Sequence, residues 1–455
     1  MKTTKSTSLS IFIYNFLEGE WKIISSITSK KQRKSLIDAG QIFSDAYLFM
    51  NIFEHNRILI TPVPVTKEYA AYVQELSGTV QQVFTPRPRI KSPFICQNVV
   101  RDPVLLQKLV DAAQAYNNTI TLLPYVSSTY VYTLARALQK RGVTVRLPET
   151  PEEKNLWTVD TYGSKAGFRE TFAAVMPEGY ICNSIKEASE KAYELYTRDK
   201  AVVVKTNRGN AGLGTSLFRP GDLPTQKKAC MQALRKHCAE SSFWRKDRIV
   251  VEKYIDTTGE KVCQFPSIEG YVTHDGKLQI PYYCNMIVSK EGEFCGIEMH
   301  KDVVPASTLK KLLAVTRKVG TTYAKNGYHG TFDIDFLYDG KRLYANESNT
   351  RTNGGTDVYR ITRKLVGDRF FTDRYVLNDF IETDHLPALP FAGLLTLLKP
   401  YLYNHKKKTG LVIGSAGAIR RYGIPYIIIA SSKTHAKTLA TRMQKTLEKT
   451  RAHNT

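Results

Sequence analysis

Residues 330–356 read GTFDIDFLYDGKRLYANESNTRTNGGT, and four side chains with metal- or anion-directed chemistry recur there at short intervals. Asp335 and Glu347 stand twelve positions apart, Asn349 follows Glu347 by two, and Arg351 follows Asn349 by two. Asp339-Gly340 is a turn signal between 332–338 and 341–346, so the spacing predicts a β-hairpin. Alternate residues of a strand share a face, and one face of this hairpin collects two carboxylates and an amide oxygen. Hard oxygen donors of that kind suit Mg²⁺, which keeps several waters and takes one or two carboxylates plus substrate phosphate oxygens. Asp333 shares a face with Asp335 and is the second choice of ligand.

The first hypothesis is therefore a nucleotide–metal site, for which the rest of the chain must supply the groups that hold the nucleotide. At 455 residues it is long enough for about two to four domains. Its 24% charged and 42% hydrophobic residues are those of a globular protein, which excludes disorder as the default. A formal charge of +23 draws anionic ligands, yet the basic residues are scattered. Only short runs such as Lys30-Lys31-Gln32-Arg33-Lys34 and Lys406-Lys407-Lys408 occur, and no nucleic-acid motif accompanies them. A nucleic-acid partner is therefore not expected. Seven cysteines without a C-x-x-C pair argue for reduced thiols, a cytoplasmic location and no zinc module. The first residues, MKTTKSTSLSIFIYNFL, lack a cleavage site and read as a strand. The most apolar stretch elsewhere, 426–430, is too short to span a bilayer.

Along residues 1–150 apolar runs at 57–65, 120–124 and 143–147 alternate with helical patterns at 103–116 and 128–141, the first opened by Asp102. That alternation implies an α/β layer with a mostly parallel sheet. No G-x-G-x-x-G follows any of these strands, so a dinucleotide-binding role has no support. Residues 148–158, PETPEEKNLWT, form a junction, and a helix after Gly163-Ser164 carries Lys165 in its first turn. In 201–218, AVVVKTNRGNAGLGTSLF, an apolar run leads into Lys205 and then Gly209, Gly212 and Gly214. The order is strand, glycine loop, strand, and backbone amides in such a loop nest an anion. It is not a P-loop, because the lysine precedes the glycines. IVVEKYI at 249–255 is a strand ending in Glu252, Lys253 and Ile255, with Glu260 beyond it. Strands continue through 269–283 and 286–299, and a helix spans 305–326. Residues 357–366 and 369–379 read as helical, as do 391–399 and 433–449, with strands around 410–413 and 426–430.

Taken in order, Lys165, Lys205 with its glycines, Glu252-Lys253, Glu260 and the acids of 330–351 resemble the ATP-grasp fold, in which two lobes hold ATP between them. The likeness covers about residues 160–365. GTFDIDFLYDGKRLYANESNTR is especially similar to the metal-binding strands of the biotin carboxylase branch, and VEKYI to the hinge that reads adenine. The fold class implied is α/β and α+β. It comprises a pre-ATP-grasp α/β domain (1–155), a two-lobed ATP-grasp fold (156–385, with 185–260 carrying the glycine loop and hinge) and a small C-terminal α+β region (386–455).

By position, the resemblance puts Lys165 and Lys205 on ATP phosphates, beneath a loop formed by Gly209, Gly212 and Gly214. Glu252, Lys253 and Ile255 would flank adenine and Glu260 the ribose; Asp335, Glu347 and Asn349 would hold Mg²⁺, or Mn²⁺ in its place. Arg351 would stabilise an acyl phosphate or tetrahedral state. This layout looks most like peptide ligases of the superfamily, ATP-dependent carboxylate–amine ligases that act through an acyl phosphate on small-molecule or peptide substrates. Thr352-Asn353-Gly354-Gly355 replaces the biotin carboxylase continuation, which disfavours bicarbonate. A kinase-like phosphotransferase and a basic polyanion-binding protein with a regulatory ATP site stay open as alternatives, as does a homo-oligomer.

Overall fold

The computed structural model describes residues 8–50, 56–87, 92–209, 212–239, 242–245, 247–260, 262–382, 390–419, 421 and 423–452. Strands β1 (Leu9–Ile13), β2 (Arg57–Ile60), β3 (Gln82–Phe84), β4 (Thr119–Pro124) and β5 (Thr144–Arg146) form one parallel sheet in the order 3-2-1-4-5. Every residue of β1 and β2 is buried, as parallel strands covered on both faces require. Asp102 caps the helix Pro103–Gln114 by accepting from the Leu105 amide at 3.1 Å, and Ser128 caps the helix Thr129–Gln139. The strand read into the first seventeen residues ends at Ile13, and a helix, Phe16–Ile24, begins three residues later. Strand order reverses between β1 and β4, which leaves a crevice beyond their carboxyl ends.

A second, antiparallel sheet joins β6 (Gly179–Cys182), β7 (Val202–Thr206), β8 (Thr215–Phe218) and β9 (Ile249–Lys253) in the order 6-9-7-8. One face, with Val202, Val204, Ile249 and Val251, packs on the helices Ile185–Asp199 and Lys227–Ala239 through Ala192, Leu195 and Leu234. Because side chains alternate, Val203, Lys205, Leu217 and Glu252 are left on the other face.

The third sheet is antiparallel and has eight strands: β10 (Pro266–Val272), β11 (Leu278–Val288), β12 (Phe294–Met299), β13 (Gly330–Tyr338), β14 (Leu343–Asn349), β15 (Tyr375–Ile381), β16 (Gly410–Ile413) and β17 (Ile424–Ala430). Their order is 14-13-10-11-12-15-17-16. Phe332, Ile334 and Phe336 of β13 are fully buried in the core that includes Leu312, Val319 and Tyr323 of the helix Ala306–Lys325. Burying each of these side chains contributes roughly 1.5–3 kcal/mol, and the same alternation turns Asp333 and Asp335 to the opposite face.

The helix expected over 369–379 is a correction. Only Phe370–Asp373 is helical, and Tyr375–Ile381 is the inner strand β15, paired with β12 on one side and β17 on the other. Pairing on both edges of YVLNDFI outweighs the helical reading.

Ends of the chain far apart in sequence are stitched together. Asp45 accepts from the Ser415 hydroxyl and from the amides of Ala416 and Gly417 at 2.9 and 2.8 Å. Tyr69 donates to the Gly414 carbonyl at 2.6 Å, and Tyr72 accepts from the Ile413 amide. The region after residue 410 thereby closes both the third sheet and the space beneath the N-terminal helices. All seven cysteines are free thiols, and among the described residues no helix is long and apolar enough to cross a membrane.

Candidate active site

The three sheets enclose a cleft of about 1220 Å³. Its floor on the small sheet is the face bearing Val203, Lys205, Thr215, Leu217 and Glu252; its opposite wall is the acidic face of β13 and β14.

On that wall Asp335 lies opposite Glu347 and Asp333 opposite Asn349, with Ser267 and Glu269 of β10 alongside. The expected hairpin is present, with Asp339 accepting from the amides of Lys341 and Arg342 at its turn, but β14 runs three residues further than the spacing implied and carries Glu347 and Asn349 itself. Register shifts after Asp335: Phe336 pairs with Ala345, leaving Asn346 as the extra residue of a β-bulge. Both Asn346 and Glu347, neighbours in sequence, consequently line the cleft.

Two lysines reach this wall. Lys165 Nζ lies 2.8 Å from Glu347 Oε2. Lys205 Nζ lies 2.5 Å from Glu252 Oε2 and donates to Asn346 Oδ1 at 2.7 Å, so it ties the small sheet to β14. Arg169 completes the pairing of Glu252 at 2.6 Å. Lys165 is held by its helix, Lys165–Phe172, which Ser164 caps, and by Asn207, whose carbonyl and side-chain oxygens accept from the amides of Lys165 and Ala166. Gly163 lets this segment approach β14: a Cβ there would stand 2.4 Å from Thr350 Oγ1.

These contacts sort the carboxylates. Burial would raise Glu347, but Lys165 and Lys205 overcome it and hold the group below its ordinary range. Glu252 is held low in the same way by Lys205 and Arg169. Burial pushes Asp335 well up, with Asp333 and Glu347 adding like-charge repulsion, and burial lifts Asp333 to about 6 against the pull of Arg351. In both buried acids the charged form is therefore disfavoured, and a cation bound beside them would favour it. Among the described residues no three His, Cys, Asp or Glu side chains form a ready-made metal cage. An oxygen-only set of Asp335, Glu347 and Asn349 fits Mg²⁺, which leaves positions for waters and phosphate oxygens, and fits softer metals poorly.

The glycine loop has positive φ at Gly212 (+88°) and Gly214 (+80°), and a Cβ on Gly214 would stand against the Thr206 side chain. Gly212 lines the cleft, Gly209 and Gly214 shape the turn behind it, and positions 210–211 lie outside the described residues. Leu213 packs on Leu17, Ile23 and Ile24 of the first helix. Lys253, Tyr254 and Ile255 line the cleft where β9 ends. Glu260 does not join the wall: its Oε1 accepts from the amides of Val262 and Cys263 at 2.6 and 3.4 Å, while Thr257 and Thr258 of the same loop face the cleft.

Arg351 is largely buried where β14 meets the N-terminal domain, 3.7 Å from Glu20. Thr352 continues the junction by donating its amide to the Tyr125 carbonyl at 3.0 Å. Beyond it, Glu269 Oε2 accepts from Thr356 Oγ1 at 2.5 Å, Asn353 Nδ2 at 3.1 Å and Tyr282 at 3.3 Å, which fixes the Asn353-Gly354-Gly355 turn. Sequence reasoning did not single out Glu20, Ser267, Glu269 or Asn346. Strand alternation could have found Ser267 and Glu269; nothing local marks the other two.

Residues 54–140 match the family model described as the pre ATP-grasp domain. No curated protein matches the sequence. Among solved structures, biotin carboxylase from Campylobacter jejuni in a beta-gamma-ATP complex is similar at a TM-score of 0.56 and 12% identity, covering 96% of this chain and 90% of that one. Carboxyaminoimidazole ribonucleotide synthase from Aspergillus clavatus, complexed with ATP, gives 0.52 and 11%, covering 98% and 100%. N5-carboxyaminoimidazole ribonucleotide synthetase from Thermus thermophilus gives 0.51 and 11%, covering 96% and 98%. The chain is therefore built as a pre-ATP-grasp domain followed by an ATP-grasp fold.

Proposed function

We propose that this chain is an ATP-dependent carboxylate–amine ligase that forms an amide or peptide bond through an acyl phosphate and releases ADP and phosphate. The observation that carries this reading is the convergence of Lys205 and Arg351 with Asp333, Asp335, Glu347 and Asn349 on one cleft, with Lys165 ion-paired to Glu347 beside it. At about 1220 Å³ the cleft exceeds the roughly 300–1,000 Å³ of an ordinary ligand pocket, leaving room beside a nucleotide. Two of the structural neighbours hold ATP or an analogue of it.

In this reading the backbone of 253–255 meets the base, and the Gly212 loop with Lys165 and Lys205 meets the phosphates. Asp335, Glu347 and Asn349 would hold Mg²⁺, with Asp333 beside them. Bound there, the ion supplies charge neutralisation and alignment of phosphate oxygens. A carboxylate is a poor electrophile. Its oxygen attacks the γ-phosphorus, the bond to the bridging β–γ oxygen breaks, and ADP departs with the electron pair. The amine nitrogen then attacks the acyl carbon, the C–O bond to phosphate breaks, and the amine proton is lost to solvent. Positioning and charge compensation are the protein's contribution, and Arg351 meets the negative charge that develops on the acyl centre.

The test is ADP release over paired acids and amines. ADP should appear only when both are present. A stable phosphorylated product without any amine would replace this reading with a kinase, and steeply salt-dependent polyanion binding without ATP turnover would replace it with a binding protein.

A further inference from the structure

Past Arg351 the cleft continues to an end wall in which one buried acid has nothing to pair with. Asp357 stands in the first turn of the eleven-residue helix Thr356–Val366, lines the cleft and is 9% exposed. Its Oδ1 is buried without a hydrogen-bond partner, and among the described residues no Lys, Arg or His forms an ion pair with it. The helix's own amides at positions 357 and 358 serve the carboxyl group, yet they leave that oxygen unmet. Burial lifts the group to about 7. A carboxylate oxygen removed from water without a partner is costly, and a cationic ligand would remove that cost.

The surroundings define the ligand further. Tyr47 lies within electrostatic reach of both Asp357 and Arg351. Its ring stands 4.7 Å from Tyr14 and 5.4 Å from Tyr125, and all three tyrosines line the cleft. Tyr14 and Tyr125 follow β1 and β4, so they occupy the crevice where the N-terminal strand order reverses. An anionic group and an arginine thus bracket an aromatic wall. Tyrosine faces attract ammonium ions and accept apolar surface equally well.

We propose that this end of the cleft binds the amine substrate as a primary ammonium ion bearing an apolar body, with the ammonium on Asp357 and the body against Tyr14, Tyr47 and Tyr125. The assignment rests on the ligase reading for its role and on Asp357 for its chemistry. It brings the nitrogen next to the ring that Arg351 also faces, where the ammonium passes one proton to the Asp357 carboxylate and the resulting free amine attacks the acyl carbon.

The probe pair is 2-phenylethylamine and 2-phenylethanol, which share a body and differ in charge, titrated calorimetrically into the full chain. The amine should bind at least tenfold tighter than the alcohol, and Asp357→Asn should bring it down to the alcohol's affinity. Equal binding of the two by the unmodified protein, or a tenfold preference surviving in the variant, overturns the proposal. Circular dichroism checks the fold; should Asp357→Asn not fold, Asp357→Ser, which keeps a helix-capping oxygen, takes its place. Hydroxamate formation from ATP, hydroxylamine and a panel of acids, measured on the unmodified protein, reads the ligase function separately. Its failure would remove the ligase reading while leaving the binding result in place.

Discussion

The two ends of the cleft handle buried charge in opposite ways. At the nucleotide end Lys165, Lys205 and Arg169 meet Glu347 and Glu252 at 2.5–2.8 Å, so the side chains hold one another in place across two lobes. At the far end Asp357 has no ion pair among the described residues, and the wall is aromatic. A paired network costs little to keep assembled between turnovers, whereas an unmet acid raises the free energy of the empty protein and lowers it again when a cation arrives. In the proposed reading, one end is preorganised for the nucleotide and the other is left to be completed by the amine.

Lys205→Ala should break the paired end most severely. Glu252 would keep only Arg169, and removing one member of a buried pair costs on the order of 3–5 kcal/mol. Loss of a cation aimed at transferring phosphate lowers ATP turnover by about 10²–10³-fold. Adding Glu252→Gln should recover stability, read by urea unfolding, without recovering turnover. If the double variant regains both, Lys205 serves only the architecture.

Much of that end was legible because its residues repeat at strand spacing. Alternation in 332–338 predicted which face of β13 is acidic, and the order of lysine, glycines and hinge predicted the small sheet. The β-bulge was not legible: Asn346 faces the cleft only because β14 carries one residue more than its partner, and no residue type announces that. Nor was the far end. Tyr14, Tyr47, Tyr125 and Asp357 are contributed by segments up to about 340 positions apart, and a parallel sheet's order decides which of them meet. Strand β15 was missed because its pairing with β12 and β17, residues remote in sequence, decides its conformation. Glu260 shows the converse: it was named from position alone, and its carboxylate bonds its own loop.

Asp333 tests whether the paired end calls for a metal. Its carboxyl is lifted from 3.8 to about 6 in the fold, so the stability it contributes is complete below its unfolded value and is lost as pH rises through about 6. Without metal, the protein should therefore lose stability from this group as pH rises between about 4 and 7. Asp333→Asn, which still accepts from the Asn349 amide, should have a shallower slope, the remainder coming from Asp335, and Mg²⁺ with ADP should flatten it in the unmodified protein. Parallel stability–pH curves for the two proteins in a chelator would show that Asp333 is ionised at no cost and that the acidic wall needs no cation.

The smallest effect concerns what holds the far end in shape. Its aromatic wall belongs to the N-terminal domain and its floor to β17 and the Gly414-Ser415 turn, and the two are joined by hydrogen bonds such as the one Tyr69 makes to Gly414. Tyr69→Phe keeps the ring, which stands 5.4 Å from Phe391 and is fully buried, and removes only the hydroxyl. The Gly414 carbonyl is then left unmet, for a loss of about 1–2 kcal/mol by urea unfolding. Because Gly414 and Ser415 line the cleft, the same variant should weaken 2-phenylethylamine a few-fold while leaving ADP affinity unchanged. A change in ADP affinity as large as that in amine affinity would mean that the two ends are mechanically one, and the contrast between a fixed end and an adjustable end would fail.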